Sequence, residues 1–353
     1  MPIKTSVSPN RLRRRDSTPR GFSLIELMVA VGVIGTLSAL LLSGVQRARE
    51  SSRRIACVNN LKQIGIALQS YAGTNGCFPP LDLPAMDRTT GRLLLLEPYS
   101  PLTRMLPELE QPNLFNATNF FLSATQDDAL WANLTVMTTS IGMFVCPSDN
   151  AAPPSGYGRV NYRFSTGPTA WLHLDDHSPG YPASPFSVYN FNNTPAGFSD
   201  GLSQTIGVSE RLQGDWIKGR LGRGDYLLTP LLKTGTHPVR GPDWALAACS
   251  AASKSLPDES RAGESWFLSG LHFSNFNHCA TPNYVAPDCS FFPDDDGLNT
   301  RLHHPGVFTA RSNHGGGVNC LFMDGSVRHV TDSIDLHTWR ALGTRNGNEV
   351  ISY

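Results

Sequence analysis

Residues 22–45, FSLIELMVAVGVIGTLSALLLSGV, hold a single ionisable side chain, Glu26. At 1.5 Å per residue this run is about 36 Å long as a helix, enough to cross a hydrocarbon core of about 30 Å. A secretory signal would have a shorter apolar region followed by an Ala-x-Ala-like cleavage site. Here the apolar run passes straight into a helical pattern. From Gln46 the chain turns basic and then amphipathic, with Val58, Leu61, Ile64 or Gly65, Leu68 and Tyr71 spaced to share one helical face. The pattern predicts one helix from about Phe22 to Tyr71, with residues 22–45 in lipid and residues 46–71 lying along a folded domain. Gly35, Ala39 and Ser43 recur every four residues, a spacing that permits close helix approach in a membrane and also fits ordinary membrane-helix composition.

The 353 residues carry 29 basic and 29 acidic side chains, so the chain is formally neutral. The charge is unevenly placed: residues 1–21 sum to +5, residues 22–71 to +3 and the remainder to −8. A basic head, an apolar segment and an acidic body fit a single-pass protein whose N-terminus stays in the cytoplasm. The same distribution argues against a nucleic-acid binder, whose basic residues would stripe the folded body. Arg47, Arg49, Arg53 and Arg54 oppose that topology, but long domains translocate largely regardless of flanking charge.

After Tyr71 the pattern breaks into short segments, and Gly plus Pro make up 58 of the 353 residues of the chain. Gly73-Thr74-Asn75-Gly76 and Pro79-Pro80 end the helix. Pro101 to Phe115 reads as a short amphipathic helix, and Ile141–Cys146, Val160–Ser165 and Thr205–Ser209 as strands. Near the C-terminus, Val318–Met323 and Ser326–Val330 flank Asp324-Gly325, which suits a two-residue type I′ hairpin. That register sets Phe322 against Val327 and Cys320 against His329. Asp332 or Ser333 then caps a terminal helix over 333–343. The expected fold is α+β, a long N-terminal helix packed on a β-rich, loop-rich domain over 72–353.

A carboxylate within an apolar run costs at least about 2.5 kcal/mol at mid-bilayer, so Glu26 needs a reason. One reason is snorkelling to the membrane surface. Its context, Arg20-Gly21-Phe22-Ser23-Leu24-Ile25-Glu26-Leu27, supplies another, since it resembles the cleavage and methylation signal of type IV prepilins and type II secretion pseudopilins. The resemblance implies that a prepilin peptidase removes residues 1–21 by cutting after Gly21, and that Phe22 becomes an N-methylated terminus. Glu26 is then the fifth residue of the mature chain, the position of that family's acid. It implies other pilin-like subunits as partners, the lipid bilayer as anchor, and the bacterial inner membrane as location, with the C-terminal domain extracytoplasmic.

Further stretches resemble a large bacterial prepilin-like family, domain of unknown function 1559. These are Cys57-Val58-Asn59-Asn60-Leu61-Lys62-Gln63, Phe78-Pro79-Pro80, Phe144-Val145-Cys146-Pro147-Ser148-Asp149, Asp200-Gly201-Leu202-Ser203-Gln204-Thr205-Ile206, and His314 followed after nine residues by Asp324-Gly325. Ser203-Gln204 departs from the family's more frequent Ser-Asn.

The resemblance carries no chemistry, and the residues give little. A strand over Val318–Met323 spans about 17 Å, which separates His314 from Asp324 and leaves no catalytic dyad. His303-His304 lack metal-ligand spacing, and Asp294-Asp295-Asp296-Gly297 lacks the alternating ligands of a calcium loop. Neither a catalytic residue, a cofactor nor a metal is expected, and a non-enzymatic structural subunit is the leading reading. The alternative is a membrane-tethered binding or enzymatic domain that borrows the anchor. Seven cysteines in an exported chain predict disulfides. Cys249–Cys289 is the first choice and Cys57–Cys146 the second, with a short Cys279–Cys289 loop as an alternative; connectivity stays open.

Overall fold

The computed structural model describes residues 21–349 apart from 82, 87–92, 98, 121–126, 152–155, 157, 171–183, 187–192, 230–240, 253–255 and 292–303. Most of the basic leader, His303 and Asp294–Asp296 lie outside the described residues. The first helix, α1, runs Leu24–Asn75. The chain divides into two compact units at Arg49/Glu50, described here separately.

In the first unit, α1 opens with a reciprocal cap. The Ser23 backbone N–H donates to Glu26 Oε2 at 2.9 Å, and the Glu26 N–H donates to Ser23 Oγ at 3.2 Å. This is the Ser-x-x-Glu capping box, which satisfies two otherwise orphaned donors. Further along, the Thr36 hydroxyl bonds the Gly32 and Val33 carbonyls, and Ser43 bonds that of Leu40. These hydroxyls are therefore spent on their own helix, which leaves an apolar outer surface long enough to cross a membrane.

In the second unit, residues from Glu50 onward, α1 buries Cys57, Leu61, Ile64, Gly65, Ala67, Leu68 and Ala72. The buried face is thus rotated slightly from the expected one, and Val58 and Tyr71 sit at its margins. The helix lies on a five-stranded sheet ordered β11-β10-β4-β3-β7. These strands are β3 (Tyr162–Ser165), β4 (Ile206–Glu210), β7 (Asn275–Phe276), β10 (Gly317–Phe322) and β11 (Val327–Thr331). All pairings are antiparallel except β3 with β7. Strand alternation divides β10 between two cores. Leu321 packs with Leu61, Ile64 and Leu68, while Val318, Cys320 and Phe322 pack with Trp339 and Leu342. Every residue of β10 is consequently buried.

Gly65 allows this packing. A Cβ there would lie 2.7 Å from Leu321 Cδ1 and 3.4 Å from the Gly325 carbonyl oxygen, so a larger residue would force the Leu321 side chain to shift.

A second sheet, ordered β6-β5-β8-β9, comprises β5 (Tyr226–Thr229), β6 (Asp258–Glu259), β8 (Asp288–Phe291) and β9 (Gly306–Val307). It forms its own core with helix α5 (Pro242–Ala251), through Leu227, Ala245, Cys249, Cys289 and Phe291. A small hairpin pairs β1 (Leu83–Met86) with β2 (Leu93–Glu97).

Four local readings need correction. The β10–β11 hairpin closes through Met323, Asp324 and Gly325, so Leu321 faces Val327 and Cys320 faces Arg328. Gly325 is at φ +85° while Asp324 is not in the left-handed region, which fits a three-residue turn with a bulge and excludes type I′. Gln69 Nε2 donates to the Met323 carbonyl at 2.6 Å and ties that turn to α1. The terminal helix α6 spans Leu336–Ala341, capped by Asp335 through Thr338 N. It starts late because Asp332 N–H is already bonded to Gly316 O and Ile334 N–H to Thr331 O.

Ile141–Cys146 is no strand: Gly142–Phe144 forms a 3-10 turn that buries Phe144 against Trp266. The stretch from Pro101 to Phe115 splits into α2 (Pro101–Arg104) and α3 (Pro112–Ala117), with Glu110 in the left-handed region between them, and α4 (Asp127–Thr138) follows.

Candidate functional site

Five residues far apart in sequence converge where α1 meets the first sheet. Cys57 on α1 is joined by a disulfide to Cys146, which follows the 3-10 turn, with a Cα separation of 5.1 Å. The Cys146 N–H donates to Asn161 Oδ1 at 3.0 Å, a bond that replaces the ladder partner a strand would have given it. Asn161 is anchored in turn by Asp149 and by the Arg211 carbonyl.

Behind the disulfide lies His314, buried, just before β10. One ring nitrogen, Nδ1, is 2.9 Å from Glu50 Oε1; the other, Nε2, is 3.4 Å from Glu210 Oε1 and 3.6 Å from Cys146 Sγ. Glu210 ends β4 and is fixed by the Asn319 N–H and side-chain amide, at 2.9 and 3.0 Å. Glu50 also accepts from Ser148 Oγ and Arg53.

Burial pushes the His314 imidazole down, but Glu210 and Glu50 outweigh it and hold the ring above its ordinary pKa. Partial burial likewise pushes the Glu50 carboxyl up, and the bonds from Arg53, His314 and Ser148 bring it below its usual range. His314 is thus clamped between two carboxylates that favour its protonated form, in a clip across α1, β4 and the start of β10. Because both ring nitrogens are engaged, His314 has no free lone pair for proton transfer in this state.

His314 and Asp324 do not share partners. Asp324 Oδ1 accepts from Ser326 N at 2.8 Å within the turn, and its other oxygen faces Arg328 at 3.8 Å. Cys249 and Cys289 are disulfide-bonded across the second core, with Cα atoms 5.6 Å apart. Cys279 is a buried free thiol and not part of a short loop bond. Sequence reasoning missed Glu50, Asn161 and Glu210. Nothing local marks them, because Glu50 and Glu210 meet His314 only through the fold, and Asn161 acts on Cys146 and Gln213, which neighbour it only in space.

Next to this cluster, a cavity of about 320 Å³ is lined by Asp149, Gln213, Asp215, Arg220, Arg223 and Asn313, among others. Asp149 also holds Asn161 and Gln213, so one wall of the cavity is shared with the clip.

At the other end of the chain, Gly21 and Phe22 precede the capping box, exposed and outside the helix. Glu26 lies one turn into α1 and bonds Ser23.

Two family comparisons fall on these two regions. The prokaryotic N-terminal methylation motif matches residues 17–42, which include Gly21, Phe22 and Glu26. The family described as protein of unknown function (DUF1559) matches residues 46–337, most of the chain. The chain belongs to the DUF1559 family. Its match takes in Glu50, Cys57, Cys146, Glu210, His314 and Asp324, and thus every member of the clip. No curated protein and no solved structure matches the chain. This DUF1559 protein therefore carries a prepilin-type, pilin-like membrane anchor ahead of an α+β, sheet-rich domain.

Proposed function

We propose that this protein is a structural subunit, a pseudopilin or minor pilin, of a type II secretion or type IV pilus-like assembly. It is processed by a prepilin peptidase, sits in the bacterial inner membrane with its N-terminus cytoplasmic, and holds its folded domain outside the cytoplasm. The observation that carries the reading is the match to the methylation motif, with an acid five residues after Gly21 inside an otherwise apolar helix. An anchor alone needs hydrophobic length and no charge, whereas a helix that must register against identical neighbours gains from one fixed carboxylate.

The role is non-enzymatic in this reading. His314, the side chain most like a catalytic base, is committed to Glu50 and Glu210. The cavity beside the clip, with Asp149, Asp215, Arg220 and Arg223 in its lining, favours a second reading, in which the domain binds a small ligand while using the same anchor.

The test is affinity purification of the full chain from membranes solubilised in mild detergent, followed by identification of what accompanies it. Other prepilin-like subunits are expected in stoichiometric amounts. A protein recovered alone, or a C-terminal reporter active in the cytoplasm, would count against the proposal.

A further inference from the structure

The disulfide clip has the composition of a metal site. We propose that in its dithiol state the domain holds a zinc-class divalent cation through Cys57, Cys146, His314 and Glu210. The same point in the fold is then closed either by a disulfide or by a metal.

Geometry carries the inference. One ligand atom from each of the four residues lies within 4.8 Å of all the others, and all four side chains are buried. A tetrahedral zinc with bonds of ~2.3 Å to sulfur and ~2.0–2.1 Å to nitrogen or oxygen sets sulfur and nitrogen ~3.6 Å apart, and nitrogen and oxygen ~3.3 Å apart. The observed separations are 3.6 Å from Cys146 Sγ to His314 Nε2 and 3.4 Å from His314 Nε2 to Glu210 Oε1. Two edges of the tetrahedron are therefore already at length. The sulfur–sulfur edge has to open to ~3.8 Å, which breaking the disulfide permits.

The surroundings also suit a metal. Glu50 on His314 Nδ1 forms the carboxylate–histidine pair that fixes a ligating imidazole, leaving Nε2 to face the cation. Asn319 holds both oxygens of Glu210. Two thiolates, one imidazole and one carboxylate favour zinc over the hard cations, and four protein ligands make the site structural, with no open position for chemistry.

The chain leaves the ribosome with free thiols, so no reductant is needed to reach this state. Cation binding displaces one proton from each thiol and the proton on Nε2. Later conversion to the disulfide requires an oxidising disulfide. The Cys57–Cys146 bond forms as that of the oxidant breaks, the two thiolates give up two electrons, two solvent protons complete the oxidant's new thiols, and the cation departs.

The experiment uses the full chain in detergent, reduced with a phosphine, freed of metal and titrated with Co²⁺ and then Zn²⁺. Reduced wild type is expected to bind one Co²⁺ with thiolate charge-transfer and tetrahedral ligand-field absorption. Zn²⁺ should displace it and slow alkylation of Cys57 and Cys146 relative to the metal-free reduced chain, without changing that of the buried Cys249 and Cys289. His314→Ala and Glu210→Gln should each weaken binding by more than the about 10–100-fold that supporting residues of metal sites cost. The oxidised chain should show no cobalt absorption.

Absence of the cobalt spectrum in the reduced wild type would overturn the proposal. So would metal-dependent protection of a different cysteine pair, or wild-type affinity in both variants. Wild type alone decides if a variant misfolds, since reduced chain unfolded in urea should bind far more weakly than folded chain.

Discussion

Asp288→Asn is expected to destabilise the folded unit by about 3–5 kcal/mol, the cost of removing one partner from a buried ion pair. Asp288 opens β8 fully buried and serves two buried cations: Arg211 Nη2 at 2.6 Å on one oxygen, Arg311 Nη2 at 2.8 Å on the other. The Thr309 hydroxyl and backbone N–H complete its shell. Arg211 also lies over the Phe308 ring, 5.2 Å from its centroid, so it has no route to water. An amide in place of the carboxylate would turn donor hydrogens toward two guanidinium groups and leave both charges uncompensated.

The pH dependence follows from the same contacts. Burial pushes the Asp288 carboxyl up, but Arg311 and Arg211 overcome it and hold the group below its ordinary value. A depressed carboxylate stabilises the fold above its unfolded pKa of about 3.9 and loses that contribution as pH falls through the folded value. Urea unfolding should therefore show a much lower midpoint for Asp288→Asn at neutral pH, and a narrowing difference in strong acid. Arg220→Ala is the contrast: its bridge to Asp215 is 70% exposed on the arginine side, and its loss should cost no more than about 1 kcal/mol. Similar midpoints for Asp288→Asn and wild type would refute the buried-pair reading.

Glu26→Gln should leave a processed, membrane-localised protein that is incorporated poorly into any assembly. The capping box makes this substitution informative. Gln serves the N3 position of such a box as Glu does, so the bond to Ser23 N survives and the helix start is preserved. What disappears is the charge available to a neighbour's terminal ammonium. Hydrogen bonds to charged groups contribute about 1.5–3 kcal/mol, against about 1 kcal/mol for neutral ones. The difference of about 0.5–2 kcal/mol, at about 1.4 kcal/mol for each tenfold, should weaken each contact by about two- to thirtyfold. Glu26→Ala loses both the cap and the charge and should also fray the first turn. Crosslinking in membranes separates the cases. Equal crosslinking of wild type and Glu26→Gln to pilin-like subunits would leave Glu26 with capping alone.

The anchor was legible because its signals are local: an uninterrupted apolar run, one acid, and a Gly-Phe step at fixed spacing. The hairpin at Asp324-Gly325 was legible as a turn but not in register. Asp-Gly suits both two- and three-residue loops, and the choice is made by Gln69 and Gly65 on a helix more than 250 residues earlier. Glu50 and Glu210 were invisible for the same reason. A lone glutamate at a strand end looks solvated until the order β11-β10-β4-β3-β7 carries it beside His314. Asp288 reads as an unremarkable acid in a strand until two arginines from elsewhere in the fold close over it. Alternation and spacing thus located elements, while the long-range polar contacts that fix their register had no counterpart in local sequence.

Everything said of assembly depends on the mature chain beginning at Phe22 with a free amino group four residues before Glu26. Intact-mass analysis of the protein extracted from membranes measures this directly. The expected mass lacks residues 1–21 and carries one added methyl group. A chain still beginning at Met1, or one cut after Ser43 so that Glu26 is lost with a signal peptide, would contradict it.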